Sequence, residues 1–462
     1  MGHLTVRPGG SLRGRGRVPG DKSISHRALL LGALADGDSR ISGFLPSNDC
    51  LATLACLRAL GVEIETHAAT TLTIHGRGLH GLQSPGGPLN CARSGTTMRF
   101  LMGILAGQAF DSVLTGDEQL LRRPMRRVAE PLRCMGADIE TTAGHGPVTV
   151  RGQRLRGCDH VLPVASAQVK SALLLAGLYA DGPTTVHQPG HARDHTERML
   201  AAMGAAIEVS GLTVSLAPSP SLSPPSNAVR TWGCSLRSLS SAVRTWGCSL
   251  HPLGIGVPGD ISSASFPLVA AAILPGSEVT IEGVGVNPTR TGLLDVLRAM
   301  GAGVVLDNEC EQGGEPVADV TVRASDLRGA DVRGATVVRM IDEFPVLAVA
   351  ATQAYGTTVV RDAAELRVKE TDRIATVVTE LQKLGAYIES LADGFVVAGP
   401  APLHGAVVNS HGDHRLAMAL AVAGLVAEGD VVIENADCIA DSFPGFVELM
   451  RGIGADYEVG AD

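Results

Sequence analysis

Leu132-Arg133-Cys134-Met135-Gly136-Ala137-Asp138-Ile139 decides the reading of this chain, because close variants of it occur five more times. They are Leu60-Gly61-Val62-Glu63-Ile64, Met203-Gly204-Ala205-Ala206-Ile207, Met300-Gly301-Ala302-Gly303-Val304, Leu384-Gly385-Ala386-Tyr387-Ile388 and Ile453-Gly454-Ala455-Asp456-Tyr457. The glycines are spaced 75, 68, 97, 84 and 69 residues apart. Each follows an apolar-periodic segment and precedes an alternating one, which predicts a helix stopped by Gly and followed directly by a strand. A second strand usually follows, as in 147–150, 212–216 and 394–398. Six such units predict an α/β protein of two halves, three units in each, every unit burying its apolar face against its neighbours.

Other features agree with two halves. The chain's 462 residues exceed the roughly 250 to 300 at which a single core stops growing. The sequence Val257-Pro258-Gly259-Asp260 echoes Val18-Pro19-Gly20-Asp21, so a second half restarts near Ile255. Between them, residues 228–236 recur identically as 242–250, a tandem duplication expected to form an exposed loop. Aromatic residues are only 3%, so the core is expected to be built from Ala, Val, Leu and Ile. The first residues should form one strand leading to a turn at Pro19-Gly20, with Asp21 capping a helix over about Ser25 to Ala35. A helix is also expected over Cys50 to Leu60.

The longest apolar run, Leu416 to Ala427, is too short to cross a bilayer, and no signal peptide opens the chain. Nine scattered cysteines, with no C-x-x-C pair, fit free thiols in a cytoplasmic protein. A net charge of −9 argues against nucleic acid as a partner. Basic residues are nevertheless bunched at Arg122, Arg123, Arg126 and Arg127 and at Arg367, Lys369 and Arg373, which suggests a small anionic ligand; a solvated basic helix face fits either cluster alone.

The residues able to carry chemistry are similarly bunched. Asp21-Lys22-Ser23-Ile24-Ser25-His26-Arg27 puts a cation, hydroxyls and a guanidinium at a helix entry, where Lys22, Ser23 and Arg27 can converge on one phosphate or carboxylate. Alone, it also fits a capping box. Ser94-Gly95-Thr96 and Ser166-Ala167-Gln168-Val169-Lys170 open further apolar helices, and anions favour such N-termini. Asp342-Glu343, Lys369-Glu370 and Asp413-His414-Arg415 stand before helices in the second half.

These motifs, with Arg123-Pro124-Met125 and Asn287-Pro288-Thr289-Arg290-Thr291-Gly292, occur in the order found in the enolpyruvyl transferases of the shikimate pathway, and the chain resembles that family outside residues 218–252. The resemblance implies a two-domain inside-out α/β barrel, each domain three units around a pseudo-threefold axis. One domain would span 21–252; the other would combine 1–20 with 253–462. The substrates would meet in the cleft between them. It further implies transfer of the enolpyruvyl group of phosphoenolpyruvate to the 5-hydroxyl of shikimate 3-phosphate, without metal or other cofactor, by a monomer. Lys22, Gly95, Arg123, Gln168, Arg373 and Arg415 would then hold phosphoenolpyruvate. Lys22, Ser23, Arg27, Ser166, Ala167, Gln168, Arg193, Asp342 and Lys369 would hold shikimate 3-phosphate. Asp342, Glu370 and Lys22 would be catalytic.

Three positions depart from the family pattern. Arg93, after Ala92, stands where a Gly-Asn pair is usual, and Asp441 stands where many relatives have Lys. Gly95 occupies a position where Ala accompanies glyphosate tolerance, so sensitivity is expected. A UDP-N-acetylglucosamine enolpyruvyl transferase is a rival reading, disfavoured because no cysteine lies in the Leu120 to Met125 loop. A relative that binds without turnover is another.

Overall fold

The computed structural model of the chain describes residues 2–217 and 250–460. Its six repeat helices, Asn48–Ala59, Arg126–Cys134, His195–Ala202, Gly292–Ala299, Arg373–Lys383 and Phe446–Gly452, all end in the same way. The repeat glycine has a left-handed φ in every copy, from 83° at Gly61 to 113° at Gly454. Gly61 donates to the Arg58 carbonyl and Val62 to the Leu57 carbonyl, both at 3.0 Å; Gly136 and Ala137, and the corresponding pairs up to Gly454 and Ala455, repeat both bonds. This double closure satisfies the last carbonyls of the helix, and its left-handed residue is the reason for glycine.

Among the described residues, each helix then feeds one of six four-stranded sheets of identical pattern. A parallel edge strand is followed by three antiparallel ones, as in Leu89–Asn90, Asp111–Thr115, His145–Arg151 and Asp138–Thr142. Three sheets borrow a strand from far along the chain. Gly254–Gly256 supplies the parallel edge of the sheet built on Asp38–Ser42. Arg13–Gly16 does the same for Glu278–Gly285. His3–Val6 lies between Val431–Glu434 and Tyr457–Gly460, in the place that a second strand after Gly454 would fill. The N-terminal segment is therefore two strands in two different sheets rather than one.

Inside the sheets of each half stand three helices that are buried nearly throughout. They are Lys22–Leu34, Gly95–Ala106 and Ala167–Gly177 in one half, and Ile261–Ile273, Phe344–Thr352 and His414–Gly424 in the other. Beyond their first one or two turns, which carry residues such as Lys22, Arg27, Arg99, Lys170 and Arg415, their sequences are apolar on all faces, as a helix without a solvent side must be. The hydrophobic residues accordingly form two separate cores. Leu253, Ile255 and Val257 belong to the first core, so the chain leaves that half at 257–258 rather than at 252–253, because the 254–256 strand is needed to complete the first sheet. The duplicated stretch lies outside the described residues except for Leu250, which is buried in the first core and bridges to Ala35. Two helices start earlier than the sequence suggests, at Lys22 and Asn48, because the Asp21 and Ser47 side chains already accept from Ile24 N and Cys50 N.

The two Val-Pro-Gly-Asp copies meet where the chain passes between halves. Asp21 N donates to the Pro258 carbonyl at 2.8 Å and Asp260 N to the Pro19 carbonyl at 2.9 Å, with an antiparallel bridge between Gly20 and Gly259. A Cβ at Gly20 would collide with the carbonyl oxygen of Gly43. Arg290 joins the two acids, with Nη1 3.0 Å from Asp21 Oδ2 and Nη2 3.2 Å from Asp260 Oδ1. All three side chains are buried.

Candidate active site

The six inner helices all turn their N-terminal ends towards the cleft between the halves. Asp21, Ser94, Ser166, Asp260 and Asp413 cap five of them through their side chains. Backbone N–H groups and helix dipoles from both halves thus converge on one space and favour negative charge there. Lys22, Ser23, Gly95, Ala167, Gln168, His414 and Arg415 line it from these ends. Arg123, Arg193, Lys369, Glu370 and Arg373 reach the same cavity from the intervening segments. Every site residue expected from the sequence lines this cavity, including Arg27, Ser166 and Asp342.

Asp342 sits among four cations. Arg193 pairs with one oxygen, Arg373 Nη1 lies 3.2 Å from the other, and Arg415 and Lys369 approach to 3.8 and 4.0 Å. Burial alone would raise this carboxyl, but Arg415, Arg193, Lys369 and Arg373 outweigh burial and hold it well below the usual range. Glu370 follows the same logic. Burial opposes its ionisation, yet Arg373, with Nη2 2.6 Å away, and Arg123, with Nη1 3.4 Å away, keep it ionised. Arg373 is itself fixed by Asp413, 2.7 Å from Nε.

Lys22 bonds Asp49 at 2.7 Å, and this partner overcomes burial to raise the ammonium above its ordinary value. Arg27 is lowered to about 10, chiefly by burial, and so stays charged at neutral pH. Its Nε and Nη2 donate to Thr196 and Ser171, and its guanidinium lies 4.8 Å over the Phe100 ring. Burial lowers His26 and His414 to about 3, so both are neutral near pH 7.

Gln168 is held from both sides, donating to Thr96 Oγ1 at 3.0 Å and accepting from Arg99. Arg99 also donates to the Pro124 carbonyl at 3.2 Å, beside Arg123. Asp49, Arg127 and Glu365 are cavity residues that the sequence reading did not select. Arg127 and Lys369 both lie 3.5 Å from Glu365, across the cleft and along the chain respectively. The basic run 122–127 carried a signal for Arg127. Nothing local marked Asp49 or Glu365.

A cleft with this many cations facing two ionised carboxylates suits anionic substrates and proton transfer. The comparisons with known proteins point the same way. The sequence description of the EPSP synthase family (3-phosphoshikimate 1-carboxyvinyltransferase) matches residues 6–230 and 243–450, its interruption falling inside the duplicated stretch. The chain belongs to this family. It is 50% identical over 452 residues to the 3-phosphoshikimate 1-carboxyvinyltransferase of Desulforamulus reducens, covering 97% of this chain and 99% of that one. With the enzyme of the same name from Herpetosiphon aurantiacus, the identity is 52% over 444 residues, covering 96% and 97%. The structure of EPSP synthase from Acinetobacter baumannii superposes with a TM-score of 0.85 at 43% identity, covering both chains fully.

Among the described residues, no helix is long and apolar enough to cross a membrane.

Proposed function

We propose that the chain transfers the enolpyruvyl group of phosphoenolpyruvate to the 5-hydroxyl of shikimate 3-phosphate and releases phosphate. The observation that carries this is the placement of Asp342 and Glu370 as two ionised carboxylates within one cationic cleft, tied together by Arg373. Lys22, Arg123, Gln168, Arg373 and Arg415, with Gly95 at the pocket base, hold phosphoenolpyruvate. Ser23, Arg27, Ser166, Ala167, Gln168, Arg193 and Lys369 hold shikimate 3-phosphate. Lys22 serves both.

In the addition step Asp342 takes the proton of the 5-hydroxyl as its oxygen bonds to C2 of phosphoenolpyruvate, while C3 gains a proton from Glu370. In the elimination step C3 gives a proton back and the C2–O bond to phosphate breaks. Glu370 is ionised in the free protein because Arg373 and Arg123 compensate it. An incoming phosphate and carboxylate take over those guanidinium groups and leave the Glu370 carboxylate less compensated. Its proton affinity then rises in the complex, where an acid is required. Closing the two halves excludes water and brings cations of both onto the same ligands.

Phosphate release measured with and without shikimate 3-phosphate tests this reading. Release is expected only when both substrates are present. Its absence, with shikimate 3-phosphate still bound, would favour a relative that binds without turnover.

The base of the proposed phosphoenolpyruvate pocket gives a second prediction. A Cβ at Gly95 would lie 3.0 Å from Arg99 Nη1 and 3.2 Å from Arg123 Nη1, so one of these guanidinium groups must move. Overpacking of this kind typically costs about 1–3 kcal/mol, and Gly95→Ala is expected to raise KM for phosphoenolpyruvate about tenfold. KM for shikimate 3-phosphate should rise less, since of the groups proposed to hold it only Gln168 touches a displaced guanidinium, that of Arg99. Steady-state kinetics with each substrate varied in turn checks both.

A further inference from the structure

The two charged departures from the family pattern, Arg93 and Asp441, face each other across the cleft, with Arg93 Nη1 3.3 Å from Asp441 Oδ2. Asp441 ends the turn Ala436–Asp441 of the second half. Both of its side-chain donors come from the first half, the other being Asn48 Nδ2 at 2.8 Å from Oδ1. Arg93 reaches the other way with Nε, 2.9 Å from Asp117 Oδ2. Asp117 in turn caps the short helix Glu118–Leu121, accepting from Leu120 N at 2.9 Å. The chain passes directly from that helix to Arg123, whose N–H donates to the Leu120 carbonyl. Ala92, at φ 49°, adopts the left-handed turn just before Arg93, and its carbonyl accepts from Asp117 N at 3.0 Å.

We infer that the Arg93–Asp441 pair is a latch between the two halves that positions Arg123 as the cleft closes. One guanidinium grips the far half with one edge and, with the other, the loop that carries Arg123. The pair differs from the other ion pairs across the cleft. In Arg123–Glu370 and Arg193–Asp342, both members line the main cavity, where incoming anions compete for the arginines. Arg93 and Asp441 lie outside that lining, in a neighbouring recess with Asp49, Arg123, Glu370 and His414. Their contact can therefore persist with substrates bound. It also neutralises a carboxylate that would otherwise stand beside the anion pocket. The Arg93 side chain is 48% exposed and that of Asp441 13%, so the latch biases an equilibrium rather than locking it.

This inference rests on the proposed reaction, and the two are tested separately. Phosphate release by the unaltered chain tests the reaction. For the latch, Arg93→Asn, Asp441→Asn, the double variant and Asp441→Lys are compared by steady-state kinetics and by small-angle X-ray scattering with shikimate 3-phosphate. Each Asn variant is expected to raise KM for phosphoenolpyruvate about fivefold and to enlarge the radius of gyration, the double variant going no further than the worse single one. Asp441→Lys sets two cations face to face and is expected to raise KM more than Asp441→Asn does. Single effects that multiply in the double variant, or an Asp441→Lys protein as compact and as active as the unaltered chain, would overturn the latch. The scattering comparison holds even if no variant turns over.

Discussion

Glu370→Gln is expected to lower kcat about a thousandfold while shikimate 3-phosphate still binds, since a positioned acid–base group contributes about 10²- to 10⁴-fold. The amide keeps the shape of the carboxylate and can still accept from Arg373, so the cleft should not rearrange. It can neither give nor take the proton at the methylene carbon. Asp342→Ala should be as severe for the complementary reason, removing the acceptor for the 5-hydroxyl proton. It also frees Arg193 and Arg373 from an anion they share, which favours retention of the phosphorylated substrate. Calorimetric titration with shikimate 3-phosphate, beside single-turnover phosphate release, separates binding from chemistry. Near-normal rates in either variant would remove that residue from the proposed acid–base pair.

Arg290→Met is expected to destabilise the protein by about 3–5 kcal/mol, the usual cost of leaving buried charge without its partner. Asp21 and Asp260 would lose the cation between them, and Ser262, which accepts from Arg290 Nη2 at 2.8 Å, would lose its donor. The pH dependence identifies the cause. Burial, then the neighbouring Asp21, push Asp260 up to about 6 even with Arg290 present. A group raised on folding favours the folded state below its unfolded pKa and loses that contribution as pH rises through the folded value. Without Arg290 the folded value rises further. The deficit of the variant should therefore be largest near pH 7.5 and shrink as pH falls towards 5. Thermal melts across that range give the measurement; a deficit independent of pH would assign the loss to packing.

How much of this was legible beforehand follows from how local each rule is. The six glycines announce themselves because a left-handed residue after a helix is a requirement on one position, met by the same residue six times. The Asp21, Ser94 and Ser166 entries are visible for the same reason, as capping acts over three residues. Strand exchange is not local. Nothing in His3–Val6 says that its partners are residues 431–433 and 457–460, and the pattern after Gly454 gives no hint that its second strand comes from the opposite end of the chain. The site divides along the same line. Lys22, Arg123, Gln168 and Arg373 stand in dense motifs, whereas Asp49 and Glu365 gain meaning only from the cations that folding brings to them. Arg93 and Asp441 each stood out singly, but their contact spans 348 residues of sequence and no pattern in either neighbourhood implies it.

The exchange of strands also bears on the order in which the molecule assembles. The first half is nearly self-sufficient once the chain has been made as far as residue 257, since its three sheets draw only on residues 38–256. The second half cannot be completed so early. Its last sheet needs His3–Val6, whose neighbours are residues 431–433 and 457–460, so a segment synthesised before the whole of the first half waits until residue 460 to be seated. Closing a loop of that length adds little to the entropic cost at equilibrium, which grows only logarithmically. It does raise the mean sequence separation of contacts, and refolding slows as that separation grows. Rejoining the chain so that residues 3–6 follow residue 460 would place this strand beside Tyr457–Gly460 in sequence and shorten the slow phase without altering a single contact in the cleft.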